Sequence, residues 1–201
     1  APTLSPSRTP TTTAALLEPT PTLTPEPVPL ERVVLSIPAP SLQDNLIGDP
    51  AEQYLEISLP PSYAASELRY PVVYFLPGFG SGSAGDNGYF DPLAVGTRMA
   101  SGALQEMILV VPAGANRLGG SFYVNSAVTG RWEDYIVQDV VGYVDAHYRT
   151  IRSPAGRGIG GHSMGGFGAL NLAMRHPDLF GTVYSLSPGL FDESGLADSQ
   201  M

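Results

Sequence analysis

The sequence predicts an α/β fold, that is, a mostly parallel β-sheet with helices on both faces. Stretches of apolar, β-forming residues alternate along the chain with helical patterns, and this order favours parallel strands joined by helices. Two of the stretches, YPVVYFL (70–76) and EMILVVP (106–112), are apolar on both sides of the strand. A parallel strand needs this pattern because helices cover both faces of its sheet.

Composition narrows the class of protein further. The 201 residues are 43% apolar, which is enough for one domain with a substantial core. The net charge is −9, and the basic residues, all arginines, form no cluster, which argues against nucleic-acid binding. The absence of cysteine excludes disulfides, a thiolate nucleophile and Cys-ligated zinc. Since no long apolar run, metal cluster or nucleotide loop is visible, we expect no membrane span and no cofactor; the oligomeric state stays open.

Residues 1–31 differ in composition from the rest of the chain. They contain 8 of the 20 prolines together with 8 threonines. Proline removes backbone donors and disfavours helix, and the few apolar side chains cannot drive collapse. We therefore predict a disordered linker at 1–31 and a folded domain at 32–201. Pro/Thr-rich tethers are typical of exported proteins, which predicts an extracellular or cell-envelope location; a tail without a role is the alternative.

The first half of the domain supplies four predicted strands and one helix. In chain order they are the strands 32–37, 54–59, 70–76 and 106–112, with a helix at 91–102 before the last strand. The strands are rich in β-branched and aromatic residues, and the helix ends at a glycine. A glycine-rich loop, PGFGSGSAG (77–85), follows the third strand.

A long amphipathic helix at 131–150 opens the second half. Apolar residues recur there every four positions, which places them on one buried stripe: Trp132, Ile136, Val140, Val144 and Tyr148. A short strand (157–162), a helix (164–176) and a last strand (181–188) follow. The residues between the fourth strand and the long helix show no periodicity and are predicted to be irregular.

The stretch GIGGHSMGGFGAL (158–170) joins the strand at 157–162 to the next helix. Inside it, GHSMG fits G-x-S-x-G, the sharp strand-to-helix turn that presents a nucleophilic serine, here Ser163. Gly161 and Gly165 flank the serine because the strained turn leaves no room for a β-carbon. The helix N-terminus also favours developing negative charge. A glycine-rich turn with an incidental serine is the alternative interpretation.

A nucleophilic serine of this kind needs two backbone N–H groups that bind the tetrahedral oxygen. One is expected from Met164, the residue after the nucleophile. The other is expected from FLPGFG (75–80), the loop after the third strand, where glycines around Phe79 let the backbone approach a substrate. We therefore predict Ser163, Met164 and Phe79 as the catalytic set, with an ordinary turn as the alternative for the loop.

These segments together resemble the esterase-D-type "putative esterase" family of α/β hydrolases, which includes S-formylglutathione hydrolases, feruloyl esterases and the antigen 85 mycolyltransferases. The similar segments are LEISLPPSY, RYPVVYFLPGFG, WEDYIVQDVVGYVDAHYR, RGIGGHSMGGFGALNLAMRHPDLF and VYSLSPGLFD. The resemblance implies an α/β-hydrolase fold with Ser163 as the nucleophile and the Phe79 and Met164 amides as the oxyanion hole. Pro77 departs from the family, where many members have histidine or aspartate.

The serine also needs a histidine base, and none of the three histidines suits that role. His162 directly precedes the nucleophile, so its side chain is expected to point away from Ser163. His147 ends the amphipathic helix, where a cation is favoured. His176 lies on the same helix as Ser163, about 20 Å further along.

The triad acid is also missing from the pattern. Asp192 is a candidate because some hydrolases place the acid after the strand that follows the nucleophile; an ordinary loop aspartate is the alternative. Glu133 and Asp134 are expected to cap the helix at 131–150. The resemblance implies that acid and histidine come later in the chain, and without further strands the one at 181–188 would be an uncovered edge. We therefore expect an α/β-hydrolase truncated after this strand.

The predicted function is a serine carboxylic-ester hydrolase that works through an acyl-enzyme on Ser163. The expected substrate is a small-molecule or carbohydrate-linked ester, and GGSFYVNS (119–126) suits either the lining of such a site or plain surface. Two alternatives remain open. One is an acyltransferase of the mycolyltransferase type, which passes the acyl group to a sugar. The other is a non-catalytic module that keeps the fold without the histidine and acid of the triad.

Overall fold

One mixed sheet organises residues 26–81 and 90–190, which a computed structural model describes. The strands are β1 (Glu31–Pro38), β2 (Glu52–Leu59), β3 (Val72–Leu76), β4 (Ile108–Pro112), β5 (Asn125–Ser126), β6 (Gly130–Arg131), β7 (Arg157–His162) and β8 (Thr182–Leu186). The helices are α1 (Pro92–Ala100), α2 (Trp132–Asp134), α3 (Val141–His147) and α4 (Met164–Arg175), with a π-helical stretch, Tyr135–Val140, between α2 and α3. Short 3₁₀ turns lie at Pro40–Leu42, Tyr63–Ala65 and Pro154–Gly156.

The order of the six strands in the sheet is β1-β2-β4-β3-β7-β8, while β5 and β6 pair with each other. β2 is antiparallel to both of its neighbours, whereas β4, β3, β7 and β8 are parallel. After β3 the chain continues to β4, which lies on one flank of the β3–β7 pair. After β7 it continues to β8, which lies on the opposite flank. The carboxyl ends of β3 and β7 are therefore the topological switch point of the sheet, the place where such sheets bind ligands. The prediction of a mostly parallel sheet is confirmed.

Alternate side chains of β3 enter two different cores. Tyr74 and Leu76 belong to the main core, which they share with the helical segment 132–147 and with α4. Val73 points to the opposite face, where it packs beside Met99 of α1. Helices therefore cover both faces of the sheet, as the sequence predicts.

The predicted helix at 131–150 forms as three consecutive stretches, and the middle one is π-helical. Four of the five residues in its predicted stripe are fully inaccessible, namely Trp132, Ile136, Val140 and Val144, whereas Tyr148 is half-buried. Residues four apart drift around an α-helix because one turn takes 3.6 residues, whereas the wider π turn drifts the opposite way. Combining the two keeps the stripe facing the sheet. The helix ends at His147, because the backbone of Tyr148 is extended.

The folded domain begins inside the predicted linker. β1 starts at Glu31, and Leu30 is buried against Met99 and Leu109. The Val28 amide donates a 3.0 Å hydrogen bond to Thr97 Oγ1 on α1. Residues 28–31 therefore belong to the domain, while residues 1–25 of the predicted linker lie outside the described part of the chain.

β8 forms the edge of the sheet in the described residues, as the sequence predicts. It pairs with β7, and Tyr184 on its open face is 65% exposed. An apolar groove of about 390 Å³ runs along this face, between β8 and Phe90 near the start of α1. The strand is shorter than predicted and ends at Leu186. Asp192, the predicted acid, lies outside the described residues.

Candidate active site

Ser163 occupies the turn between β7 and α4. Its backbone has φ 55° and ψ −117°, a conformation that costs a residue with a side chain about 1–3 kcal/mol. Three hydrogen bonds hold the turn. The Ser163 amide donates to Leu186 O at 2.9 Å, and the Ser163 carbonyl accepts from the amides of Phe167 at 3.1 Å and Gly189 at 3.0 Å. The surrounding chain thus maintains the strain that the predicted nucleophile turn requires.

Two glycines allow this turn to lie directly against β3. A β-carbon on Gly165 would overlap the Leu76 carbonyl and lie 2.7 Å from Pro77 O. A β-carbon on Gly161 would lie 2.8 Å from Leu76 O and overlap Gly165 itself. The start of α4 is therefore pressed against the end of β3, and any larger residue would push the two apart.

The loop after β3 reaches Ser163 because β3 and β7 are neighbours in the sheet. Leu76 pairs with Gly161 in parallel register, so both strands end at the same edge. This register brings together two predicted site segments that are far apart in sequence, the one with Phe79 and the one with Ser163 and Met164. Among the described residues, the Phe79 amide donates no backbone hydrogen bond.

Three phenylalanine rings border the candidate site. Phe79 is 56% exposed, and its ring centroid lies 6.3 Å from that of Phe122. The Phe122 ring also lies edge-on to that of Phe167 on α4, at 6.1 Å. The segment GGSFYVNS (119–126) therefore lies beside Ser163, a placement that its sequence left open.

Two of the three histidines are bound to partners away from Ser163. His147 Nδ1 lies 2.8 Å from Tyr143 O, and its ring stacks on that of Tyr143. His176 Nε2 lies 2.8 Å from Glu133 Oε1 at the far end of α4. His162 is exposed at the end of β7. These positions agree with the expectation that neither His147 nor His176 acts as the base.

Glu133 and Asp134 lie in the first turn of α2, as predicted, where the helix dipole favours negative charge, but the helix has no side-chain hydrogen-bond cap. Glu133 is buried and accepts hydrogen bonds from Arg175 Nε at 2.9 Å and from His176. Burial raises the pKa of the Glu133 carboxyl, but these hydrogen bonds and the charges behind them hold it below its ordinary value. Asp134 accepts from Asn125 Nδ2 at 3.0 Å. Both carboxylates therefore link the start of the helix to neighbouring elements. Their hydrogen bonds go to side chains of those elements and not to the backbone amides of the first helical turn.

The described residues form neither a cluster of metal ligands nor a membrane-spanning helix. Within residues 26–81 and 90–190, no three metal-ligating side chains converge. None of the helices formed by these residues combines the length and the apolarity that crossing a bilayer requires. The Glu133 carboxylate, which contacts the end of α4, pairs with Arg175 and His176 instead.

Sequence analysis named the segment 119–126 but missed its most buried member, Tyr123. The Tyr123 side chain is fully inaccessible, and its hydroxyl donates to Pro77 O at 2.8 Å. Its ring fills the space left by two glycines, Gly114 and Gly168, where a β-carbon would overlap it. Since these glycines lie on separate segments, only their coincidence in space reveals the role of the tyrosine.

Comparison with known proteins agrees with this geometry. The family model described as "Putative esterase" matches residues 51–195. The esterase MT1326 of Mycobacterium tuberculosis (strain CDC 1551) is 33% identical over 134 residues, which are 66% of this chain and 28% of that protein. A solved ferulic acid esterase has a TM-score of 0.69 at 27% identity, over 80% of this chain and 60% of its own. An S-formylglutathione hydrolase from Agrobacterium tumefaciens has a TM-score of 0.63 at 23% identity, over 79% and 58%.

These matches cover the elements that build the candidate site. The chain spans about a quarter of the length of the mycobacterial relative and about three fifths of the solved ferulic acid esterase. The family match runs through β3, the Ser163 turn and β8. The chain has the α/β-hydrolase fold and belongs to the "Putative esterase" family.

Proposed function

We propose that this chain carries the nucleophile and the oxyanion hole of a serine carboxylic-ester hydrolase. The observation that carries the proposal is the strained turn at Ser163, pressed against the end of β3. Such strain persists in a residue other than glycine only where the surroundings impose it, which is typical of active sites. Membership in an esterase family supports the same function.

In this mechanism, Ser163 Oγ attacks the carbonyl carbon of the ester and its proton passes to a general base. The tetrahedral oxygen accepts hydrogen bonds from the backbone amides of Phe79 and Met164. The bond to the alcohol oxygen then breaks, and the alcohol leaves with the proton from the base. Water attacks the acyl-enzyme, releases the carboxylic acid and restores Ser163.

The general base and its acid are the parts that the described residues do not bring to Ser163. His147 and His176 are held by Tyr143 and Glu133. We therefore place the base in a longer form of the chain, in keeping with the greater length of the solved relatives. Asp192 remains a candidate for the acid. The location, extracellular or in the cell envelope, remains a prediction from the Pro/Thr-rich segment.

The apolar rings beside Ser163 suggest which esters would bind. Phe79, Phe122 and Phe167 form a continuous aromatic wall, and the Phe79 ring is largely exposed. One solved relative is a ferulic acid esterase. We propose a small-molecule or carbohydrate-linked ester whose acyl group is apolar and packs on this wall.

Labelling with a fluorophosphonate probe tests the proposal. The 201-residue chain and its Ser163→Ala variant are incubated with the probe, and adducts are counted by intact-mass spectrometry. We expect slow labelling of the unchanged chain, because an oxyanion hole alone gives a rate enhancement of about 10³–10⁴ over the reaction in water. We expect no labelling of the variant. Equal labelling of both chains would contradict Ser163 as the nucleophile.

The same probe separates the alternatives when the chain is extended by the sequence encoded after Met201. A general base contributes a factor of about 10²–10⁴ to the reaction rate, so the extended chain should be labelled at least a hundredfold faster. A non-catalytic module would gain nothing from the extension. An acyltransferase would release p-nitrophenol from p-nitrophenyl acetate faster when a sugar acceptor is added. A stop codon directly after Met201 would overturn the placement of the base.

A further inference from the structure

We propose that Tyr123 is a positioning residue of the oxyanion hole, which fixes the loop that presents the Phe79 amide. The inference rests on the proposed function. In this role Tyr123 touches no substrate. It acts through the peptide of Pro77, two residues before Phe79.

The Tyr123 hydroxyl and α4 hold the Pro77 carbonyl between them. Tyr123 Oη donates to Pro77 O at 2.8 Å. From the other side, Gly165 of α4 lies so close that a β-carbon there would be 2.7 Å from the same oxygen. The Pro77 carbonyl belongs to the Pro77–Gly78 peptide, and the next peptide carries the Phe79 N–H. Fixing the direction of the first peptide restricts the rotation of the second. The direction of this N–H therefore depends on a phenol far away in sequence.

A second contact holds the loop on the other side of Phe79. The Gly80 amide donates to Gly119 O at 2.9 Å, and the Phe79 ring lies over Gly119 and Gly120. The segment with Tyr123 thus forms hydrogen bonds to the loop on both sides of Phe79, at Pro77 and at Gly80. An oxyanion donor needs such support, because its contribution depends on a direction that is set before the reaction.

Tyr123 is itself fixed by its surroundings. Both Phe122 and Tyr123 have positive φ, 52° and 55°. These backbone angles turn Tyr123 inward, while the ring of Phe122 lies against that of Phe79. The Tyr123 amide donates to Ser121 Oγ at 3.2 Å, which completes the frame around the phenol. The strained backbone at Phe122 and Tyr123 is thus maintained in the conformation that places the Tyr123 hydroxyl against the Pro77 carbonyl.

The variant Tyr123→Phe tests this role, since it removes the hydroxyl and keeps the ring. Tyr54→Phe on β2 is the matched control, because the Tyr54 hydroxyl has no hydrogen-bond partner among the described residues. The first measurement is the rate of p-nitrophenol release from p-nitrophenyl acetate, after subtraction of the rate measured with the Ser163→Ala variant. We expect Tyr123→Phe to lower the maximal acylation rate about 10- to 100-fold with little change in the half-saturating ester concentration. Tyr54→Phe should stay within about twofold.

Hydrogen exchange is the second measurement, and it does not depend on activity. In Tyr123→Phe, the amides of residues 78–81 should exchange faster, while those of β3 and β7 stay unchanged. Unchanged exchange at 78–81 overturns the inference, and so does an acylation rate within twofold of the unchanged chain. If Tyr54→Phe shows the same loss, the effect is general and the inference is also overturned.

The two measurements separate this inference from the proposed function. If acylation by the unchanged chain equals that by Ser163→Ala, the proposed function fails, and hydrogen exchange still decides the role of Tyr123. If Tyr123→Phe does not fold, Gly114→Ala replaces it, because a β-carbon at Gly114 would displace the hydroxyl while the tyrosine remains. The same loss of acylation and the same faster exchange at 78–81 are then expected, and their absence overturns the inference.

Discussion

His176 Nε2 lies 2.8 Å from Glu133 Oε1, so the last histidine of the sequence joins the end of α4 to the start of α2. Arg175 Nε donates to the same oxygen at 2.9 Å. The helix that begins at Ser163 is thereby anchored at its opposite end. The contact ties α4 to α2 and gives His176 a partner at the end of α4 opposite to Ser163.

Glu133→Gln should therefore weaken the fold in a pH-dependent way. The pKa of Glu133 is lowered from its ordinary value of 4.5, so its stabilising contribution is present above that pH and is lost as the pH falls through the lower folded value. We expect the substitution to reduce the free energy of unfolding by about 1 kcal/mol at pH 7. The difference should shrink at acidic pH. Urea unfolding from about pH 3 to pH 7 measures this, with the exposed Glu52→Gln as the control. A constant difference across the range would contradict the assignment.

Gly165→Ala should disrupt the turn at Ser163. The new β-carbon would overlap the backbone at the end of β3, so we expect a loss of about 3 kcal/mol or more, or failure to fold. Gly142→Ala in α3 is the matched control, because a β-carbon there meets no atom within 4 Å. Helix propensity predicts that it stabilises the protein by about 0.5–1 kcal/mol. Thermal unfolding compares the two, and an unchanged Tm for Gly165→Ala would argue against the tight packing.

Asp145→Asn should be costly because Asp145 neutralises a buried arginine at the start of β7. Asp145 pairs with Arg157, whose side chain is only 7% exposed, and accepts from Thr150 Oγ1 at 2.6 Å. Breaking such a pair leaves a buried charge, so we expect a loss of about 3 kcal/mol. Arg131→Ala removes an exposed ion pair with Asp134 and should change stability by no more than about 0.5 kcal/mol. Equal urea midpoints for the two variants would refute the difference in burial.

Leu30→Ala tests whether the domain begins before residue 32. Leu30 is buried against Met99 and Leu109, so we expect a loss of about 2 kcal/mol. Leu46→Ala is the matched control, since Leu46 is 75% exposed and its removal should cost less than about 0.5 kcal/mol. Urea unfolding measures both. If Leu30→Ala behaves like the control, residues 28–31 belong to the linker after all.

The sequence by itself determined most of the elements and the position of the strained turn at Ser163, on which the proposed function rests. β7 (Arg157–His162) has its predicted bounds, and the stripe from Trp132 to Val144 is buried as predicted. Periodicity and glycine placement are local signals, so they can be read from neighbouring residues without knowing the fold. The same signals did not reveal the π-helical stretch or the start of the domain at residue 28, because both depend on what packs against them.

Only the tertiary structure decided which segments meet. Leu76 lies beside Gly161 because β3 pairs with β7, and this register carries the Phe79 loop to Ser163. Pairing between distant strands depends on how the whole sheet closes its core, and no pattern within either strand encodes it. Tyr123 turns inward for a similar reason, since its side chain is held by contacts with Pro77, Gly114 and Gly168 that come from separate parts of the chain.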